Sequence, residues 1–356
     1  MRFFSGILFL INAVIAFFSC IAIYASINLP SKGAIAGFFM LMTPVFLLLN
    51  LGIVAFWLFI NWRKSWLSVL VLLFAWPLFQ RTFQFGKTNA NSDTPQFSVL
   101  SFNVFFCDAT AYVHENQKEN SPKLIAEMVN TRSDIKCFQE LYNYDAIPHF
   151  QTINQLKVQN PNYIIADNKR DGFVGLAIFS KYPILNAAYK KFTYHNGVLW
   201  ADIRLQGQVV RVVNVQFFSM GIRVNKVIDA ENQNDRERAK QEAKNVVSSL
   251  KEGFNTRADE VDYVADIIQK SPYPVILAGD FNEMPYGYAY GKIRKLLNNA
   301  FENAGSGFGF TYNKNPKFIR IDNQFYDKRL IINQFKTLSD VDYSDHYPIW
   351  AKYSFE

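Results

Sequence analysis

The stretch RVVNVQFFS, residues 211–219, decides the reading of the fold. With the two valines before it, Val210, Val212, Asn214 and Gln216 fall on one face of an extended chain. Val209, Val213, Val215 and Phe217 fall on the other, the period of two expected of a β-strand. Runs this apolar lie in sheets covered on both sides. The run ends in polar residues, and a polar residue at the end of a buried strand lines a cleft.

Working outward, the same pattern recurs. FSVLSFNVFF (97–106), DIKCFQE (134–140), FVGLAIFS (173–180), VLWADIRL (198–205) and YPVILAGDFNEMP (273–285) read as strands, joined by hairpin signals at SKYP and QGQ. Further strands are expected at NYIIAD, PILNAAYKKF, FIRIDNQFYD, RLIINQFKTL and YSDHYPIWAKYSF, with a glycine-rich loop, AGSGFGF, before the last three. Between them SPKLIAEMVNTRS reads as a helix with Ser121 as N-cap and Pro122 at its first position. IPHFQTINQL reads as another helix, and DRERAKQEAKNVVSSLKEGF and TRADEVDYVADIIQKS as two charged ones, solvated with an apolar stripe on a sheet, or in the alternative lying on a membrane surface. Short strands with hairpins and a few helices predict an α/β fold, a four-layer sandwich of two packed mixed sheets flanked by helices. In such a sandwich, strand ends converge on one edge.

The front of the chain is different. Residues 1–90 hold Arg2, Lys32, Arg63, Lys64, Arg81 and Lys87 but no Asp or Glu, so the net charge of +7 belongs mostly to this leader. Of 37 Lys and Arg, 31 remain beyond it, against 30 Asp and Glu. A near-neutral domain argues against long nucleic acid held by many phosphate contacts. Lys169-Arg170 and Lys190-Lys191 read as solvated turns, with phosphate binding the alternative. Apolar tracts at 3–29 and 34–60 exceed the roughly 20 residues that cross a bilayer. A third, Trp66 to Phe79, covers only about 21 Å as a helix and spans if it extends to Phe85. The small residues of YAS resemble a signal cleavage site, but the apolar core is too long and further spans follow. Residues 1–85 are thus expected to be an anchor of two to three transmembrane helices, 86–96 a linker and 97–356 the domain outside the membrane. Arg2, Arg63 and Lys64 set the cytoplasmic side, so three spans place a multi-pass protein in the cell (inner) membrane with its domain extracytoplasmic. Two spans reverse the side. Cys20, Cys107 and Cys137 form no metal-binding spacing, and Cys137 reads as a small buried hydrophobe.

The chemistry lies in the strand ends: Asn103, Gln139-Glu140, Gln216, Asp280 with Asn282, and Asp345-His346, with Asp322 inside another apolar segment. Each alone is an ordinary turn or cap residue. Together, oxygen ligands from Asn103, Glu140 and an aspartate suit Mg2+ or Mn2+. Asp280 would take the proton of an attacking water, and His346, held by a second carboxylate, would stabilise a phosphoryl group. This is the chemistry of metal-assisted phosphoester hydrolysis.

LSFNV, CFQE, GLAIFSKYPI, ILAGDFNEMP, IRID and SDHYPI occur in an order that resembles the endonuclease/exonuclease/phosphatase superfamily, of which deoxyribonuclease I is a member, over about residues 96–355. The resemblance implies metal binding by Glu140 with Asn103 nearby, a water oriented or deprotonated by Asp280, and a scissile phosphate bonded by Asn282. It implies that Asp345 positions metal or nucleophile, and that His346 contacts the phosphate with Asp322 in support. One position departs from the family: Val213-Asn214-Val215-Gln216-Phe217 has glutamine where a histidine or tyrosine contacts the phosphate or protonates the leaving group. Loss of a positioned acid is worth about 10² to 10⁴ in rate, and loss of one charge-stabilising donor about 10² to 10³. The expected function is a membrane-anchored, Mg2+- or Mn2+-dependent phosphodiesterase or nuclease; the alternative is a tethered, catalytically weakened protein that binds a phosphorylated ligand or partner. The partners implied are the lipid bilayer and a phosphate ester, whether lipid head group, nucleic acid or small phosphodiester. Nothing calls for an obligate protein partner.

Overall fold

The computed structural model describes residues 2–28, 33–86, 95–114, 118–167, 171–220, 235–315 and 317–356. Lys169, Arg170 and most of the expected linker lie outside them. The chain divides into two units. One comprises Met1–Thr82, Ser219–Asp259 and Pro285–Lys292, and the other Phe83–Phe218, Glu260–Met284 and Ile293–Glu356.

In the first unit, helices α1 (Arg2–Asn28) and α2 (Ala34–Ile60) are each long and apolar enough to cross a membrane. Their outer faces expose Leu10, Phe17, Leu48 and Phe59, while small polar side chains meet inside. Ser26 and Thr43 hydroxyls lie 2.9 Å apart, and Asn50 Nδ2 donates to Ser19 Oγ at 2.7 Å. The third tract is not one helix. It breaks at Ala75 into α3 (Trp66–Phe74) and α4 (Trp76–Thr82), because Pro77 supplies no N–H and its ring clashes with the preceding turn. The two pieces nevertheless follow α1 along its length. Lys64 Nζ bonds the Ser5 carbonyl at 2.9 Å, Ser68 Oγ donates to Asn12 Oδ1 at 2.8 Å, and Arg81 donates to the Ser26 carbonyl at 3.1 Å.

The second unit holds β1 (Gln84–Phe85), β2 (Gln96–Asn103), β3 (Ile135–Asn143), β4 (Asn162–Ile165), β5 (Phe173–Ser180), β6 (Ile184–Lys191), β7 (Gly197–Leu205) and β8 (Gln208–Gln216). After a helical stretch come β9 (Val275–Asp280), β10 (Asn298–Asn299), β11 (Ser306–Gly307), β12 (Asp322–Tyr326), β13 (Leu330–Thr337) and β14 (Ile349–Phe355). Twelve of them form two six-stranded sheets, ordered β10-β12-β9-β8-β7-β6 and β13-β14-β2-β3-β5-β4. Each sheet is mixed: β8–β9 and β2–β3 are parallel, and the remaining pairs are antiparallel. The sheets pack face to face with helices outside, as the strand pattern predicts. Val210, Val212, Val213 and Val215 of β8 are fully buried, each contributing about 1.5 to 3 kcal/mol.

Polar groups also tie the sheets. Asn214 of β8 accepts from Gln139 Nε2 at 2.6 Å and donates to the carbonyls of Phe138 and Ala177 at 2.9 and 3.0 Å. Gln324 of β12 donates to the carbonyls of Val99 and Ile349, both at 3.1 Å. These bonds fix which strand ends face one another across the sandwich. Gly279 has φ 145°, and a Cβ there would collide with the Val215 carbonyl of the parallel neighbour. The close approach of β8 and β9 therefore requires glycine just before Asp280.

Several local expectations change. The first strand stops at Asn103, because Phe105 to Asp108 take left-handed backbone angles. Outside the sheets lie α5 (Ala109–His114) and α6 (Asn120–Asn130). Ser121 is inside α6 rather than its cap: its hydroxyl donates to the Cys107 carbonyl at 2.6 Å and lies 2.9 Å from His149 Nε2. The end of α6 is capped by Lys136, whose ammonium bonds the Met128 and Val129 carbonyls at 2.9 and 2.8 Å. The next helix is a short turn at Pro148–Phe150 followed by α7 (Thr152–Leu156). The two charged helices are one, α8 (Arg236–Gln269), which runs through Gly253. A single interior glycine costs about 1 kcal/mol, and a Cβ at this one would strike the Met220 side chain. Lys190 and Lys191 lie exposed at the end of edge strand β6, not in a turn. Cys107 and Cys137 are buried free thiols, pushed up by burial, Cys107 to about 12.

Candidate active site

Strand register sets the site. In one sheet Gln216 lies opposite Asp280, and Asp280 opposite Asp322, so one row across β8, β9 and β12 ends in an amide and two carboxylates. In the other, Asn103 pairs with Gln139 at the ends of β2 and β3. Between Phe138 and Leu141 the β3–β5 register slips, and Glu140 takes φ 54°. This bulge re-aims a side chain that strict alternation would send elsewhere. Thus Gln139 points into the core toward Asn214, and Glu140 joins the site.

Of the nine strand-end residues singled out from sequence, all but Gln139 meet here. Asn103 Nδ2 donates to Glu140 Oε1 at 3.3 Å and to Asp280 Oδ2 at 3.2 Å. Gln216 Nε2 donates to Glu140 Oε1 at 2.5 Å. Asn282, held at φ 48°, gives Asp280 its backbone N–H at 2.7 Å and its amide at 3.1 Å, and the amide also reaches the Phe217 carbonyl at 2.9 Å. His346 Nδ1 lies 2.8 Å from Asp322 Oδ2, leaving Nε2 at 3.9 Å from Asp280 Oδ2 and 4.0 Å from Asp345 Oδ1.

Two of these placements differ from the sequence expectation. The amide of Gln216 is spent on Glu140, and its Oε1 is buried with no hydrogen-bond partner among the described residues. Turned the other way, the amide would set oxygen against oxygen. Asn103 likewise faces the acids with its nitrogen, while its oxygen accepts from Phe105 N–H at 3.1 Å. In this arrangement both amides orient carboxylates.

Four carboxylates surround one imidazole, and the titration of Asp280, Glu140, Asp345 and His346 reflects it. Burial raises the Asp280 carboxyl; His346 opposes the rise, while Asp322 and Glu140 add to it. Burial likewise raises Glu140 and Asp345. For His346 burial acts the other way, but Asp322, Asp280 and Asp345 outweigh it and the imidazole is raised. Single-sign crowding of this kind is relieved by a cation. Asp280, Asp322 and His346 have ligand atoms within 4.8 Å of one another. However, the Asp322–His346 contact is already a short hydrogen bond, and a protonated imidazole offers no lone pair at Nε2.

Sequence reasoning missed three contributors. Ser344 Oγ donates to the Asn103 carbonyl at 2.8 Å and accepts from His346 N–H at 3.3 Å, so the Ser-Asp-His turn is pinned to the end of β2. Thr311 Oγ1 accepts from the backbone N–H of Ile321 and Asp322 at 3.0 and 3.1 Å. Tyr312 packs edge-on against His346, ring centroids 5.4 Å apart. The serine of the SDH triplet carried a signal in the sequence; the loop residues Thr311 and Tyr312, without periodicity, carried none.

A sequence profile of the Endonuclease/Exonuclease/phosphatase family matches residues 100–346, more than half of the chain, and one of a Domain of unknown function (DUF8431) matches residues 5–82. Among solved structures, endonuclease/exonuclease/phosphatase family proteins from Bacteroides thetaiotaomicron and Bacteroides vulgatus are similar, each with TM-score 0.53 and 16% identity. They cover 75% and 74% of this chain and 97% and 100% of their own. A humanized D. rerio TDP2 matches with TM-score 0.50 and 18% identity over 73% of this chain and 99% of its own. No curated protein sequence matches.

Proposed function

Because this chain belongs to the endonuclease/exonuclease/phosphatase family, we propose that it is a divalent-metal-dependent phosphoester hydrolase of the phosphodiesterase or nuclease type, anchored in a membrane by its amino-terminal helices. The observation that carries the reading is the convergence of Glu140, Asp280, Asp322, Asp345 and His346 at one end of the two-sheet sandwich, linked by the amides of Asn103, Gln216 and Asn282.

An all-oxygen donor set with surplus negative charge fits a hard cation such as Mg2+ or Mn2+. Glu140 and Asp345 would hold it, with Asn103 positioning Glu140. When bound, the cation polarises the phosphate and lowers the pKa of water.

The remaining roles fall to the chain itself. Asp280, raised by burial yet held by three N–H donors, accepts the proton of the attacking water. Asn282 orients that carboxylate and turns its amide toward the phosphate when substrate enters. His346, kept protonated by Asp322, presents Nε2–H to the phosphoryl oxygens. Gln216 holds Glu140 in place and has no proton to give at neutral pH, so a water protonates the leaving group.

For the anchor, Lys64 beside Ser5 and Arg81 beside Ser26 put the third, kinked tract across the same thickness as α1. This supports three spans, with Arg2, Arg63 and Lys64 at one cytoplasmic end and the domain of residues 97–356 outside a cell (inner) membrane. The buried Ser19–Asn50 and Ser26–Thr43 pairs favour a retained first helix over a cleaved signal.

The test uses the purified full chain with Mg2+ or Mn2+ on a generic phosphodiester, then on DNA, phospholipids and inositol phosphates. Hydrolysis lost in Asp280→Ala supports the enzyme and its site. A folded, metal-binding protein inactive on every substrate would instead favour the tethered binding protein.

A further inference from the structure

We infer that an exposed aromatic patch, built by β1 and the 305–320 loop, is a contact with the headgroup layer of the bilayer. The inference rests on the membrane reading above. β1 pairs antiparallel with β11, Gln84 opposite Gly307 and Phe85 opposite Ser306. The strand that directly follows α4 is thereby stitched to the loop. From it a chain of rings runs outward: Phe83 to Phe308 at 5.0 Å, Phe308 stacked on Phe310 at 5.2 Å, and Phe310 to Phe318 at 5.9 Å. Phe85, whose ring lies 5.2 Å from Phe83, is 93% exposed, Phe318 77% and Phe308 50%. Contiguous apolar rings left in water mark an interaction surface.

Two observations choose the bilayer as occupant. The first is reach: Phe85 is three residues beyond Thr82, the last residue of α4, so at most about 11 Å of chain separates them. Arg81 is bonded to Ser26, two residues before α1 ends, so this chain exit lies level with the end of a span. Aromatic side chains concentrate at that depth in membranes. The second is charge. Lys314 and Lys317 are exposed on the same loop, where anionic headgroups would meet them. The loop's other stem carries Thr311 and Tyr312, which brace Asp322 and His346. The rings and the supports of the site thus share one loop, Phe310 lying two residues before Tyr312.

The test is nitroxide accessibility in the full chain, reconstituted in vesicles of phosphatidylcholine with a minority of phosphatidylglycerol. Labels are placed at Phe85→Cys and Phe318→Cys in a Cys20→Ala background, with Val158→Cys, an exposed position outside the patch, as reference. The expected result is a several-fold loss of collisions with a water-soluble nickel chelate at both patch positions relative to Val158→Cys, with oxygen collisions retained or increased. Chelate access equal to the reference would overturn the proposal while leaving the anchor intact. Loss of both chelate and oxygen access would also overturn it, since the cover would then be protein. If the chain is extracted from vesicles by alkali, the membrane reading itself fails.

Discussion

Replacing Asp322 by Asn isolates the part of the site that the rest of the mechanism leans on. The two side chains are nearly isosteric, and Asp322 is buried at the start of β12, so the fold should survive. What changes is one charge. Asp322 Oδ2 accepts from His346 Nδ1 at 2.8 Å, a buried bond to a charged group, for which the net value is about 1.5 to 3 kcal/mol. If that energy is used to hold an imidazolium against the transition state, its loss slows kcat by about 10- to 150-fold. The pH profile should change with it. In the parent protein the three aspartates raise His346, so it stays protonated through neutrality. Without Asp322 burial pulls the imidazole down, and the imidazolium is lost as pH rises, so activity should fall on the alkaline side of neutrality where the parent does not. The assay is steady-state hydrolysis of a chromogenic phosphodiester by the full chain across pH, with the imidazole followed by NMR. Parental rates and profile in a folded variant would refute the role given to the pair.

Other outcomes follow from the same geometry. Because burial raises both Glu140 and Asp345, cation and protons compete for them. Mg2+ binding measured by calorimetry should release protons and tighten as pH rises; a pH-independent affinity would place the ion elsewhere. Gln216→His returns a titratable donor beside Glu140, and a faster rate or a new pH limb is expected; no change would mean that position 216 only supports the carboxylate. Asn214→Leu removes three cross-sheet bonds and strands buried partners, each worth about 1 to 3 kcal/mol, so thermal unfolding of the full chain should fall by several degrees. A carboxyl-terminal reporter should be active only outside the cytoplasm, and cytoplasmic activity would overturn the three-span arrangement.

What could be read from sequence follows from periodicity. The period of two placed β8 and β9, and both runs ended on the polar residues that now lie side by side as Gln216 and Asp280. The sandwich followed, because strands buried on both faces need a second layer. Features that depend on a partner elsewhere in the chain were not legible. The bulge that turns Glu140 into the site shows in the pairing of β3 with β5, and no residue in CFQE signals it by type. Two helices were expected to divide after Phe254, yet α8 runs unbroken through that point, with Gly253 close against Met220. Ser121 and Pro122 carry the pattern of a helix start, but the Cys107 carbonyl captures the hydroxyl. For Gln216 the resemblance to the family marked a missing acid; only the 2.5 Å bond to Glu140 shows what the amide does instead.

The most direct test of the central claim is hydrolysis of a phosphodiester by the full chain in heavy-oxygen water with Mg2+, the products weighed by mass spectrometry. Water attack at phosphorus, with Asp280 as base, predicts the heavy oxygen in the phosphate product, and no product from Asp280→Ala. Label in the alcohol product, or no hydrolysis by folded protein with metal bound, would contradict it.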